Sequence, residues 1–171
     1  LILKEISVKQ LVAQILVALA KTEEGPASAR IPSNEGRTRA KELADAALAM
    51  GPDLPDAHFA MGDVLVDAGQ SASAEAEYRK ALALSPNSSS GHVRLANALG
   101  LEEKLTEAVT ELREALRIDP KSAVAHTDLG NILAAQKETT EAIAEFKEGI
   151  RLSPDFIDAH NNVAIAHARQ G

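Results

Sequence analysis

The 171-residue sequence has no cysteine and no tryptophan, and aromatics make up only 2% of it. Without cysteine there is no disulfide framework, no thiolate metal site and no cysteine nucleophile. Ala and Leu dominate while strand-forming aromatics are scarce, so an all-helical chain is expected. There is no excess of positive charge. Lys and Arg number 18 against 25 Asp and Glu, a net charge of −7. Phosphate binding needs a basic stripe, so nucleic acid is excluded as the main partner. No apolar run reaches the roughly 20 residues that a membrane span needs. GxSxG, GxGxxG, GxxxxGK[ST] and HExxH are all absent, and the sequence points to no catalytic site and no cofactor.

What the chain does have is a period. His58, His92, His126 and His160 follow one another at intervals of 34 residues. A fixed interval of this length reads as an internal repeat, and repeats of about 34 residues are helical pairs. Aligned on these histidines, three units run 55–88, 89–122 and 123–156. Place 7 holds Met61, Leu95 and Leu129; place 8 is small, with Gly62, Ala96 and Gly130; place 11 is Leu65, Leu99 and Leu133. Place 20 is Ala74, Ala108 and Ala142, and place 24 is large, with Tyr78, Leu112 and Phe146. Ala81, Ala115 and Gly149 occupy place 27, then Leu84, Ile118 and Leu152 place 30, and Pro86, Pro120 and Pro154 place 32.

Each slot has a physical reading. Large residues at places 4, 7 and 11 share one helical face. Small residues at places 8, 20 and 27 let two helices approach, and bulk there would strain the packing. Proline at place 32 stops the second helix, because it lacks an N–H and disfavours helix before it. A helix pair cannot bury its apolar face alone, so neighbouring pairs must stack.

This pattern resembles the tetratricopeptide repeat, TPR, with histidine in a slot where that family often has tryptophan. The resemblance implies an all-α fold: a right-handed superhelical solenoid of antiparallel helix pairs. Upstream, residues 1–54 read as a divergent helical pair. Its second helix spans Arg37–Met50, its first lies within the apolar segment 1–21, and a loop covers 22–34, where Gly25-Pro26 and Ile31-Pro32 break any helix. Residues 157–171 match the first helix of a further unit or a capping helix. Leu11–Ala20 is apolar apart from Gln14 and ends in Ala18-Leu19-Ala20, which looks like a signal-peptidase site; packing on the next helix is the preferred reading, and membrane association is not expected. A cytoplasmic location is expected. The chain starts at Leu1 rather than Met, which fits a fragment or a processed chain.

The histidine ladder is expected to be packing rather than a metal array. Successive rungs should stand roughly 10 Å apart, given interaxial distances of about 8–10 Å, whereas one zinc ion needs its ligands about 2 Å away. Asn87-Ser88-Ser89 fits a glycosylation sequon but reads as a turn after Pro86. Acidic pairs such as Glu102-Glu103 read as solvated charge.

The remaining candidate site is the groove. In the resembled fold, places 2, 5, 6, 9 and 13 of each first helix face a concave surface. On that basis Phe59, Asp63, Arg94, Asn97, Thr127, Asp128, Asn131, Asn161 and Asn162 are the expected partner-binding residues. An amide both donates and accepts, so a row of asparagines suits an extended peptide. The acids Asp56, Asp63, Asp67, Asp128 and Asp158 outnumber the groove's bases, which points to a polar or basic protein or peptide ligand. Members of the family that hold chaperone C-terminal tails use a clamp of Lys, Asn, Asn, Lys and Arg. The matching slots here are Phe59, Asp63, Arg94, Val124 and Asp128, or one unit later Val93, Asn97, Asp128, Asp158 and Asn162. Neither register supplies the clamp, so no chaperone tail is expected to bind. Two alternatives stand beside the groove. One is self-association through open solenoid ends. The other is a repeat arm of a larger enzyme such as a glycosyltransferase, suggested by Ala159-His160-Asn161-Asn162-Val163-Ala164, which is similar to arrays attached to O-linked N-acetylglucosamine transferases.

Overall fold

The computed structural model describes residues 34–170, so the readings for the segment 1–21 and for nearly all of the loop 22–34 lie outside the described residues. Within them the chain forms eight α-helices and no strand. They fall into two compact units that end and begin at Pro86 and Asn87. The first holds α1 (Asn34–Met50), α2 (Pro55–Asp67) and α3 (Ser71–Leu84). The second holds α4 (Ser89–Leu101), α5 (Leu105–Ile118), α6 (Ala123–Ala135), α7 (Thr139–Leu152) and α8 (Ile157–Gln170). In the second unit each helix packs on the next, and α4 also meets α6 and α6 meets α8. That is the pattern of a stack whose helix pairs advance in one direction.

The ends of the helices arise from local chemistry. Helices α3, α5 and α7 stop two residues before Pro86, Pro120 and Pro154. The residue in between cannot comfortably stay helical ahead of a proline. The N–H groups of Ser85, Asp119 and Ser153 still reach back to the carbonyls of Ala81, Ala115 and Gly149. Helices α4 and α6 begin with serine caps: Ser88 Oγ accepts from Gly91 N at 3.1 Å, and Ser122 Oγ from Ala125 N at 3.2 Å. Each cap satisfies an N–H that the first turn leaves unpaired.

The turns inside the pairs share one geometry. Gly69, Glu103 and Lys137 all have positive φ, at 72°, 60° and 67°. The next residue in each case, Gln70, Lys104 or Glu138, donates its N–H five residues back, to Leu65, Leu99 or Leu133. This is a Schellman-type C-cap, which needs a left-handed residue at its corner. Only the first turn uses the residue type best suited to that backbone.

Close approach is set by a paired choice. Gly62 lies under Tyr78 and Gly130 under Phe146; a Cβ on Gly130 would sit 2.5 Å from the Phe146 ring. Where the large residue is Leu112, its partner is Ala96, and both are fully buried. Aromatic residues at place 24 therefore go with glycine at place 8, and leucine with alanine. In the first unit, Ala47 of α1 packs against Ala57 and Ala60 of α2, with Leu48 and Leu54 at the edge.

Candidate functional site

Two sets of polar side chains recur with the repeat. The first set joins the two helices of a pair. His58 Nδ1 lies 2.7 Å from Glu77 Oε2, His92 Nδ1 2.6 Å from Glu111 Oε2, and His126 Nδ1 2.7 Å from Glu145 Oε2, each 19 residues apart. The other ring nitrogen meets the carbonyl of the preceding turn: His58 Nε2 to Pro52 at 2.9 Å, His126 to Pro120 at 3.3 Å and His160 to Pro154 at 2.8 Å. In His58 and His126 both ring nitrogens are thus engaged, one by the glutamate and one by the turn. Burial raises the Glu77 carboxyl, but hydrogen bonds from Lys80 and His58 outweigh it and hold the group below its ordinary range. These rungs fasten helix to helix and leave no ring nitrogen of His58 or His126 for a ligand. Among the described residues no three metal-binding side chains cluster. The glutamates occupy place 23 in every unit, a recurrence visible in the sequence whose role is given only by the histidines opposite.

The second set joins the successive first helices α4, α6 and α8, at places expected from the sequence to form the inner face. Asn97 of α4 donates to Asp128 Oδ2 of α6 at 3.1 Å, and Asn162 of α8 donates to Asn131 Oδ1 of α6 at 2.8 Å. Both pairs span 31 residues, from place 9 of one unit to place 6 of the next. The structure thus brings together four of the expected groove residues, two by two. Asp128 is half-buried, and its carboxyl is raised above the ordinary aspartate range. Burial is the main cause and the charge of Asp158 adds to it, while the Asn97 hydrogen bond pulls the other way.

Beside the Asn131–Asn162 pair is a cavity of about 260 Å³. Phe146 and Ala166, both buried, form its floor; Ala135 and Ile165, both exposed, stand at its mouth with the two amides. No single helix announces it in the sequence, because α6, α7 and α8 each supply part of it.

The other expected residues have different surroundings. Phe59 is 5% exposed and packs at a tilt against Tyr78, with ring centroids 6.4 Å apart. Thr127 is 2% exposed, donates to the Ala123 carbonyl at 2.9 Å, and fills the space that a Cβ on Gly149 would need. Place 5 is thus a packing position in α2 and α6, and these two side chains are closed to a ligand. Asn161, at the same place in α8, is exposed. Asp63 accepts from Tyr78 Oη at 2.8 Å, which ties it to its own pair, and Arg94 is half-buried.

Comparison with known proteins places this architecture. A TPR repeat model matches residues 97–137 and 130–171, and a tetratricopeptide repeat model matches residues 33–89. No curated protein matches the sequence. Among solved structures, the chain is similar to Pseudomonas aeruginosa pilF, at 21% identity and a TM-score of 0.82 over 95% of this chain and 70% of that one. It is similar to MamA from Desulfovibrio magneticus RS-1, at 18% identity and a TM-score of 0.75 over 93% and 85% of the two chains. A third similar structure is the first TPR of Spaghetti (RPAP3) bound to the HSP90 peptide SRMEEVD, at 17% identity and a TM-score of 0.66 over 68% and 92%. At such identities these structures speak to the fold alone. No helix among the described residues is long and apolar enough to cross a membrane. With the repeat models spread over well more than half of the sequence and the helix pairs repeating every 34 residues, the chain belongs to the tetratricopeptide repeat family.

Proposed function

We propose that this interaction scaffold docks a polar or basic segment of a partner protein on the inner face of α4, α6 and α8, without catalysis of its own. The observation that carries the reading is Asp128. It is half-buried, linked to the neighbouring first helix through Asn97, and held above the ordinary aspartate range by burial with Asp158 near. A site that tolerates a carboxylate in so unfavourable a setting gains from a cation brought to it. A lysine or arginine of the ligand supplies that cation and donates hydrogen bonds to Asp128 and the Asn97 carbonyl.

The test is a peptide array read by fluorescence anisotropy. Basic segments should bind at micromolar affinity and weaken with salt. Asp128→Asn and Asn97→Ala should each weaken binding about tenfold, the loss of one charge-assisted hydrogen bond. Equal binding of acidic and basic segments would defeat the reading. A peptide ending in Glu-Glu-Val-Asp should not bind, because its carboxylates would face Asp128 and Asp158.

Self-association is the second reading, and one observation favours it. On α8, Ala164 and His167 are exposed at places 8 and 11, which are covered in every earlier unit, and Ile157 is 70% exposed. A molar mass that climbs with concentration in light scattering would support it; a constant monomer mass would rule it out.

A further inference from the structure

We infer that the Asn131–Asn162 pair and the cavity beside it form an anchor site for one apolar side chain of an extended partner segment, and that this residue lies about three positions from the basic residue held at Asn97–Asp128. The inference rests on the groove reading above and adds to it a second subsite, a ligand class and a spacing.

The two inter-helix pairs leave different groups for a ligand. In the Asn162-to-Asn131 hydrogen bond one amide uses its NH2 and the other its carbonyl. The Asn131 NH2 and the Asn162 carbonyl take no part in that bond, so donor and acceptor groups stand side by side. Exchanging the roles of the two amides leaves the same complement. A peptide group in an extended chain presents one C=O and one N–H, and this pair answers both, whatever the ligand's sequence. The Asn97–Asp128 pair differs. One N–H of Asn97 is already committed to a carboxylate, and what remains is mostly acceptors: the Asp128 carboxylate oxygens and the Asn97 carbonyl, against a single N–H. It selects donors, and best a cation.

The cavity decides which side chain accompanies that backbone contact. Its floor of Phe146 and Ala166 and its mouth of Ala135 and Ile165 are apolar. A volume of about 260 Å³ falls below the ~300–1,000 Å³ typical of pockets that enclose a drug-sized ligand. It suits one side chain such as Leu, Ile or Met, whose burial removes apolar surface from water. The exposed Ile165 at the rim closes over the stem of such a residue.

The spacing comes from the repeat. Both pairs involve α6, one toward α4 and the other toward α8, so they are one first-helix step apart, about 8–10 Å. An extended chain advances about 3.3 Å per residue, so the basic and apolar residues stand about three positions apart.

The experiment uses the 171-residue chain and fluorescein-labelled nonapeptides on a Gly/Ser background. One set carries Arg and Leu three positions apart, in both orders. Others replace Leu by Ser, replace Arg by Ser, or space the two by one or six positions. The three-position peptide in at least one order should bind at least tenfold tighter than every other member. Ala135→Phe, which fills the mouth from an exposed position, should abolish the gain from Leu and leave the gain from Arg. Titrating wild-type protein with the best peptide should shift the side-chain amide signals of Asn131 and Asn162, which reads the same contact without a variant. Arg-dependent binding that is indifferent to Leu, to Ala135→Phe or to spacing would overturn the anchor site and leave the groove reading standing. Absence of any Arg-dependent binding would instead overturn the groove reading.

Discussion

The histidine rungs and the inner-face pairs both recur with the repeat, but they behave differently from unit to unit. Within a helix pair the contact is the same three times: histidine to glutamate, 19 residues apart. Between successive first helices the geometry persists, 31 residues apart, while the chemistry changes from Asn–Asp to Asn–Asn. Constant chemistry marks a joint that has to hold every pair together. Varying chemistry on a constant frame gives each position along the inner face its own complement of donors, acceptors and charge. The carboxylates divide in the same way. Glu77 in a rung is held below its ordinary range by its hydrogen-bond donors, and Asp128 on the inner face is pushed above its own by burial and Asp158. One is stabilised as an anion by the fold, and the other is not.

The contrast between joint and inner face can be broken at several points, and the largest effect is expected within a pair. Gly130→Ala forces a methyl against the Phe146 ring and should cost about 2 kcal/mol in chemical denaturation, the middle of the range for overpacking. Adding Phe146→Leu should recover part of that loss, because Ala96 and Leu112 already show that combination. An additive double mutant would contradict the pairing of places 8 and 24.

A smaller effect is expected at the rungs. His126→Ala should lower stability by about 1 kcal/mol, the net scale of a typical hydrogen bond, and leave binding of basic peptides unchanged. A variant of unaltered stability with weakened binding would move the rung into the binding site.

The smallest effects are in the pH dependence, and they have opposite signs. Glu77 is lowered from about 4.5, so its contribution is present above that value and fades as pH falls through its folded titration. Asp128 is raised from about 3.8; the native state then binds its proton more readily than the unfolded chain, and stability is lost as pH rises through its folded titration. Glu77→Gln should flatten the acid limb of a melting-temperature profile, and Asp128→Asn should flatten the loss above the ordinary aspartate range. A Glu77→Gln profile that keeps the wild-type acid limb would contradict the first assignment, and a destabilised Asp128→Asn at neutral pH the second.

Much of the fold is legible in the sequence because its determinants are residue types repeated in register. Gly62 and Gly130 announce close helix approach, and Pro86, Pro120 and Pro154 announce the stops. The turn corners are harder to see. Only Gly69 advertises a left-handed residue, while Glu103 and Lys137 adopt the same φ because the packed pair dictates the turn. The inner face is legible in part. Asn97, Asp128, Asn131 and Asn162 stand out by place alone and lie in two hydrogen-bonded pairs. Phe59 and Thr127 satisfy the same rule of place, yet they are buried, since helix crossing decides how far place 5 turns toward the second helix. The cavity at Phe146 and Ile165 has no signature, because α6, α7 and α8 build it jointly.

The reciprocal choice at places 8 and 24 bears on how such a chain can be recombined. Grafting α5 behind α6 would set Leu112 over Gly130 and leave a void; grafting α7 behind α4 would drive Phe146 into Ala96. A single helix is therefore not an exchangeable part. The smallest piece that can be shuffled, duplicated or borrowed for a new array is the matched pair, which keeps its own steric lock wherever it is inserted.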